Sequence, residues 1–298
     1  METYRIITLD FLTLGHHSPI TTHQSPLTTH DPPVTMPKAL WKRTKKEICT
    51  PYEALAQIYD FVMRHVPYQE WTTYVEKILR KFDLRDPKIL DLACGTGTLT
   101  LELTARGYKA SGADSAPEML RIARKKAESC SSSVTFFEMD LRTVQGVPTY
   151  DVVLCLYDSI NYLLSLRDVA SALAGISDLL LPGGLFIFDV CTENNSLKYF
   201  RDFTECEHGD GFSYTRHSFY RPRDRMQINE FEIRFDDRPG RWNETHRQKI
   251  YSSNEILSVI EASPLEMLRM YDDSSFRPAT DNSDRIHFVL RKPPLTSS

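Results

Sequence analysis

A doubly wound α/β fold carrying a small antiparallel insertion is what this sequence predicts, on three observations. Continuous apolar runs such as Tyr150-Asp151-Val152-Val153-Leu154-Cys155-Leu156 read as strands buried on both faces. Segments with three- and four-residue apolar spacing alternate with those runs, the rhythm of a parallel sheet wound with helices. Between Phe212 and Tyr251 the period changes to two, with polar turns, as in antiparallel strands.

A chain of 298 residues is long enough for one such domain with an insertion. Its formal net charge of -4 argues against broad polyanion binding. No apolar stretch approaches the roughly 20 residues of a membrane span, and the first residues lack the basic start and apolar core of a secretory signal. Six scattered cysteines without a C-x-x-C pair suggest neither a disulfide framework nor a zinc site. The expectation is a cytoplasmic protein with reduced thiols and no metal.

Residues 1–47 are rich in His, Thr, Ser and Pro and poor in regular apolar positions, so a disordered extension is expected there. Met36 is a second candidate start codon. From Pro51 the residues Tyr52, Leu55, Ile58, Tyr59, Val62 and Met63 recur at helical steps, and Val66-Pro67 breaks that helix before another through Ile78 and Leu79. These aromatics serve either the core or a lid, with Tyr59 the best lid candidate.

The first strand, Lys88 to Leu92, runs into Ala93-Cys94-Gly95-Thr96-Gly97 and then a helix from Thr98 to near Gly107. Glycines there permit a sharp turn and the close approach of a ligand. A strand at Lys109–Asp114 follows, then Ser115-Ala116-Pro117-Glu118 as N-cap, first-turn proline and capping acid of a helix to about Ser129. Strands at Val134–Asp140, Tyr150–Leu156 and Leu185–Val190 come next, with a helix from Asp168 to Leu181 closed by Pro182-Gly183-Gly184. The insertion holds strands at 212–220, 226–235 and 242–251. A helix near Ser253–Ala262 and strands at Leu265–Tyr271 and Arg285–Leu290 finish the fold, and Lys292 starts a frayed tail. The domain bounds expected are 48–205 with 252–292 for the main domain, and 206–251 for a substrate cap.

The glycine turn calls for a nucleotide-like ligand, but the third glycine of a dinucleotide fingerprint is absent and no Gly-Lys-Ser/Thr follows. Three strand-end acids, Asp91, Asp114 and Asp140, would repel a pyrophosphate. They suit ribose hydroxyls, an adenine amino group and positive charge, all of which S-adenosylmethionine has. A nicotinamide-dependent oxidoreductase and a catalytically silent S-adenosylmethionine-binding protein are the alternatives.

The segments Ile89–Gly97, Gly112–Leu120, Met139-Asp140-Leu141 and Leu181-Pro182-Gly183-Gly184 resemble the successive motifs of class I S-adenosylmethionine-dependent methyltransferases. The resemblance spans about Pro51 to Lys292 and is nearest to a bacterial small-molecule branch that includes amino-sugar N-methyltransferases. That branch has a Tyr-Asp pair like Tyr59-Asp60 and an antiparallel insertion after the fifth strand. Ala93 departs from it where many members have glycine.

The resemblance implies a Rossmann-like seven-stranded sheet with its last strand antiparallel. It places Gly95 and Gly97 against the methionine part of the cofactor, with Asp91, Ala93 and Cys94 near its amino group and Tyr59 over the turn. It implies that Asp114 binds the ribose hydroxyls beside Ser115 and Met119, and that Asp140 accepts from the adenine amino group beside Leu141. Leu156 would face the methionine moiety. S-adenosylhomocysteine would be the product.

The loop after the fourth strand, Tyr157-Asp158-Ser159-Ile160-Asn161-Tyr162, lies at the end where open α/β sheets bind ligands. Tyr157, Asp158 and Tyr162 are therefore candidates for steering the acceptor. An Asp/Asn-Pro-Pro-Tyr/Phe loop is missing there, which disfavours nucleic acid. In the insertion, Glu244 and His246 are two apart and share a strand face, so His246 is a candidate base, with His217 and Arg247 as candidate acceptor ligands. The expected partner is a small polar molecule methylated at N or O, with no nucleic acid or membrane, and the chain is expected to be a monomer or homodimer.

Overall fold

The computed structural model describes residues 46–280 and 282–295. The expected disorder of the extension lies outside the described residues, except that Lys46 and Glu47 begin strand β1, Lys46–Ile48. A 3-10 turn, Leu55–Ile58, and the short helix α1, Tyr59–Val62, follow, then α2, Tyr68–Lys81. The single helix expected from Pro51 is thus two short turns. Tyr52 has a left-handed backbone (φ 67°), and its N–H, with those of Ala54 and Leu55, is held by Glu244 from the far side of the chain.

The nucleotide-fold half continues as β2, Lys88–Leu92; α3, Thr98–Ala105; β3, Lys109–Asp114; α4, Pro117–Ser129; β4, Phe136–Glu138; β5, Tyr150–Cys155; α5, Leu166–Leu179; and β6, Leu180–Cys191. Helix α6, Glu193–Tyr199, leads to β7, Asp202–Gly209; β8, Phe212–Arg221; β9, Met226–Phe235; and β10, Arg238–Lys249. The chain returns through α7, Ser253–Glu261, to β11, Glu266–Asp272, and β12, Arg285–Arg291. No helix of the described residues is long and apolar enough to cross a membrane.

Seven strands form one sheet in the order β11-β12-β6-β5-β2-β3-β4, in which β12 runs antiparallel to both neighbours. The order reverses between β2 and β5, and a crevice opens there at the carboxyl ends of the strands. Alternate residues feed two cores. Leu90, Val153, Phe186 and Phe288 face α5 and α7, whereas Ile89, Val152, Ile187 and Val289 face α2 and α3. Covering both faces is why these strands read as continuous apolar runs.

The second sheet has the order β1-β10-β9-β8-β7, antiparallel except for β1 against β10. Its Tyr214, Phe231 and Ile233 join the core on the α2 side, which fixes the sheet over that face of the crevice. The sheet gains β7, a strand absent from the expected set, because its alternation is of polar and half-buried residues such as Glu205 and Glu207.

Three local expectations change. Ser115 does not cap α4: the N-cap is Ala116, and its N–H is bound by the Asp114 carboxylate (2.9 Å). Pro182-Gly183-Gly184 does not end a helix but lies within β6. A Cβ on Gly184 would stand 2.9 Å from the Asp151 carbonyl, so glycine lets β6 pass close to β5. Lys292 does not begin a frayed tail, since its Nζ donates to the carbonyls of Ser177 and Leu180 at the end of α5 (2.8 Å each). Ala93, the departure from glycine, takes a left-handed φ of 61°.

Candidate active site

The crevice widens into a cavity of about 540 Å³ between the strand ends and the second sheet. Its floor is the turn after β2. Asp91 is buried and accepts from Thr100 Oγ1 (2.6 Å), and burial pushes its carboxyl up to about 7. Asp114 ends β3 with Oδ2 on the Gly95 N–H (2.8 Å) and Oδ1 on the Ala116 N–H. Burial raises its pKa against those backbone donors and the Ser115 N–H, and its remaining acceptor capacity is left for a ligand.

Gly95 (φ 56°) faces open space, where an added Cβ would meet nothing nearer than Tyr59 at 3.7 Å. The roof over this turn is the segment around α1. Tyr59 packs with Ala56, Ala116 and Met119, and Thr96 Oγ1 donates to Asp60 Oδ1 (2.6 Å), which Lys126 also pairs at 2.9 Å. A desolvated carboxylate (Asp91), an open glycine and a partly satisfied carboxylate (Asp114) fit a ligand bearing an ammonium and vicinal hydroxyls.

Ala93, Cys94, Ser115, Met119, Asp140, Leu141 and Leu156 line the same cavity. Gly97 does not: it caps α3 at φ 74°, where a Cβ would come within 2.9 Å of Phe136. Its glycine is required by packing and by conformation rather than by ligand contact. Asp140 is also spoken for. Arg142 donates its backbone N–H, its Nε to both oxygens and its Nη2, which fills the carboxylate and holds its pKa down. An amino group could use Asp140 only by displacing Arg142.

Tyr157 and Asp158 are consecutive left-handed residues (φ 64° and 53°), an arrangement that costs energy unless the surroundings enforce it. Here Asp189 enforces it by accepting from both N–H groups (2.6 and 2.8 Å). Arg285, buried on β12, then bridges Asp189 and Asp158, its Nη2 lying 2.7 Å from Asp158 Oδ1. Gln248 takes Asp158 Oδ2. Asp158 is therefore a locked structural carboxylate, not a free base beside the acceptor. Tyr157 and Tyr162 both line the cavity.

The second sheet brings Glu244 and His246 together as the spacing predicts. His246 Nε2 is 3.1 Å from Glu244 Oε2, and both side chains are buried. Burial would raise the Glu244 carboxyl, but the bonds from His246 and from the Leu55 and Ala54 N–H groups outweigh it and hold the value below normal. His246 Nδ1 meets Tyr162 Oη at 3.3 Å, and Tyr52 Oη donates to Tyr162 Oη at 2.6 Å. Tyr52, Tyr162 and His246 all face the cavity.

His217 and Arg247 point the other way. His217 pairs with exposed Asp202 (2.9 Å), and Arg247 is exposed on the outer face. Each neighbours a residue that does face in, Arg216 and His246, and strict alternation excludes both members of such a pair. Arg216, Gln227, Asn229, Gln248, Tyr52 and Arg285 are cavity residues that the sequence reading missed.

Comparison with known proteins agrees with this geometry. Residues 89–184 match the model of the Methyltransf_25 family, described as a methyltransferase domain. The provisionally named methyltransferase YqeM of Bacillus subtilis is 30% identical over 244 residues, covering 81% of this chain and 97% of that protein. A similarly named Geobacillus protein is 30% identical over 81% of this chain and 99% of its own. Among solved structures, an S-adenosylmethionine-dependent methyltransferase from Clostridium acetobutylicum superposes with a TM-score of 0.70 at 24% identity, over 81% of this chain and 99% of the other. DesVI of Streptomyces venezuelae superposes at 0.64 and 20% identity, over 80% and 98%.

Proposed function

Since this chain belongs to the S-adenosylmethionine-dependent methyltransferase family, we propose that it methylates a small polar molecule at nitrogen or oxygen. When bound, S-adenosylmethionine supplies a methyl carbon activated by its sulfonium and open to in-line displacement. Asp91 would face its ammonium, Asp114 its ribose hydroxyls, and Met119 and Leu141 its adenine ring. The aromatic wall of Tyr59, Tyr68, Trp71 and Tyr157 keeps water from the reacting region and favours a cation by its ring faces.

The observation that carries the acceptor side is the hydrogen-bonded series Tyr52–Tyr162–His246–Glu244 opening on the cavity. With Nε2–H directed at Glu244, Nδ1 of His246 is the bare nitrogen and accepts from Tyr162. A proton leaving the acceptor would pass to Tyr52 Oη as the Tyr52 proton moves to Tyr162 and the Tyr162 proton to His246 Nδ1. Glu244 then balances the imidazolium. A base of this kind contributes about 10² to 10⁴ in rate.

The structural neighbours support a small acceptor: CalS10 is an amino pentose methyltransferase and KedS8 a sugar N-methyltransferase. The test is an acceptor screen scored by S-adenosylhomocysteine release, repeated with His246→Ala and Tyr162→Phe. Unchanged turnover in both variants would remove His246 from the chemistry. Failure of the wild type to bind S-adenosylmethionine would remove the reading altogether.

A further inference from the structure

The two ends of the cavity differ in charge. At the strand ends the carboxylates of Asp91 and Asp114 face it. Three arginines also line the cavity: Arg142, Arg285 and Arg216. Arg142 is spent on Asp140, and Arg285 on Asp158 and Asp189. Arg216, on β8 of the second sheet, is the exception.

Its Nε donates to Ser218 Oγ (2.8 Å), and Ser218 in turn donates to Asn229 Oδ1 (2.6 Å), so the guanidinium is aimed by a fixed pair. Its sole carboxylate neighbour among the described residues is Glu205, whose Oε1 is 3.5 Å from Nη1, longer than the roughly 3.2 Å limit of an ordinary N–H···O bond. Glu205 does not line the cavity, and its Oε2 is buried without a partner. The Arg216 side chain is 11% exposed and lies between Phe200 and Phe231, with ring centroids 5.7 and 5.9 Å from Cζ. A cation walled by two rings, desolvated and loosely paired, has hydrogen-bonding capacity directed at whatever enters beside it.

We propose that the methyl acceptor carries a carboxylate and that Arg216 binds it. This rests on the methyltransferase reading and names the class of its acceptor. The anion sits at the Arg216 end, and the nucleophilic nitrogen or oxygen lies toward Tyr52, Tyr162 and the strand ends. A carboxylate suits the site better than a phosphate. A phosphate carries about -1.5 to -2 charge, and His65, the other basic group at this end, is kept from charging by burial and by Arg216 itself. With Glu205 already beside it, one guanidinium is matched better to one added negative charge than to nearly two.

The experiment uses matched probes: 4-aminobutanoate against 4-aminobutanamide, 3-hydroxybenzoate against 3-hydroxybenzamide, and 3-hydroxyphenyl phosphate. Turnover with S-adenosylmethionine and calorimetric binding to the S-adenosylhomocysteine complex are measured for the wild type, Arg216→Gln and Glu205→Gln. The wild type is expected to favour the carboxylate member of a pair by roughly 10- to 100-fold, and Arg216→Gln to erase that preference. Glu205→Gln, which removes the competing carboxylate, is expected to enlarge it. Affinity for S-adenosylhomocysteine should not change in Arg216→Gln.

Equal or better use of the amides, tighter binding of the phosphate, or a preference that survives Arg216→Gln overturns the proposal. So does the absence of any carboxylate binding up to roughly 10 mM. A wild type that binds neither S-adenosylmethionine nor S-adenosylhomocysteine overturns the methyltransferase reading instead, which separates the two failures.

Discussion

Glu244 lies 3.1 Å from His246 and also accepts from the N–H groups of Tyr52, Ala54 and Leu55, 189 to 192 residues earlier in the chain. One carboxylate thus orients the candidate base and anchors the roof of the cavity. Glu244→Ala leaves three N–H donors without their acceptor and should cost on the order of 3 kcal/mol in urea denaturation. Glu244→Gln keeps an acceptor oxygen, so it should fold with a smaller loss while turnover falls at least tenfold. Because the Glu244 carboxyl is held below its ordinary value, this contribution is present above the unfolded pKa and is lost as pH falls through the folded one.

Asp91 gives the opposite pH dependence. Burial raises its carboxyl to about 7, so between about pH 4 and 7 the folded state holds a proton that the unfolded state has released. Stability of the ligand-free protein should therefore fall as pH rises through that window. A cationic ligand needs the ionised form, so S-adenosylmethionine affinity should rise between pH 6 and 8. Calorimetry at several pH values checks both halves. Asp91→Asn should flatten the affinity profile and weaken binding throughout.

Ala93 holds a left-handed φ of 61°, a region costing a non-glycine residue roughly 1 to 2 kcal/mol. Glycine avoids that cost but adds freedom to the unfolded chain. Ala93→Gly is expected to stabilise the protein by about 0.5 to 1 kcal/mol, read as a higher urea midpoint with unchanged S-adenosylhomocysteine affinity. A lower midpoint would mean that the alanine methyl packs better than its backbone strain costs.

Arg285 joins the carboxylates that hold the strained turn at Tyr157 and Asp158. Removing it leaves two buried acids facing each other. Arg285→Met should destabilise the protein by about 3 to 5 kcal/mol, with loss of acceptor turnover as Tyr157 moves. Adding Asp158→Asn and Asp189→Asn should recover part of the stability but not the turn. Thermal unfolding of the single and triple variants measures this.

Much of the cavity floor was legible because it is local. Asp91, Gly95 and Asp114 sit at strand ends within one stretch of chain, where apolar runs fix the strands and the turn must follow. Spacing on one strand also predicted the Glu244–His246 contact. The same spacing, applied fully, would have excluded Arg247 once His246 was chosen, and His217 in favour of Arg216. Asp140 failed as a free acceptor because Arg142, two residues on, reaches back to it. The Asp158–Arg285 pair spans 127 residues, and nothing in either segment signals the other.

By itself the sequence determined the doubly wound sheet, its antiparallel insertion and the identity of the methyl donor, since these follow from periodicity and from short motifs read along one segment. Tertiary structure decided which side of the second sheet faces the cavity, which carboxylates are free and which arginine is left to a ligand. Period-two alternation gives the parity of a strand but not its inward face. Whether a charged group is spent or available depends on partners that the fold draws from distant parts of the chain.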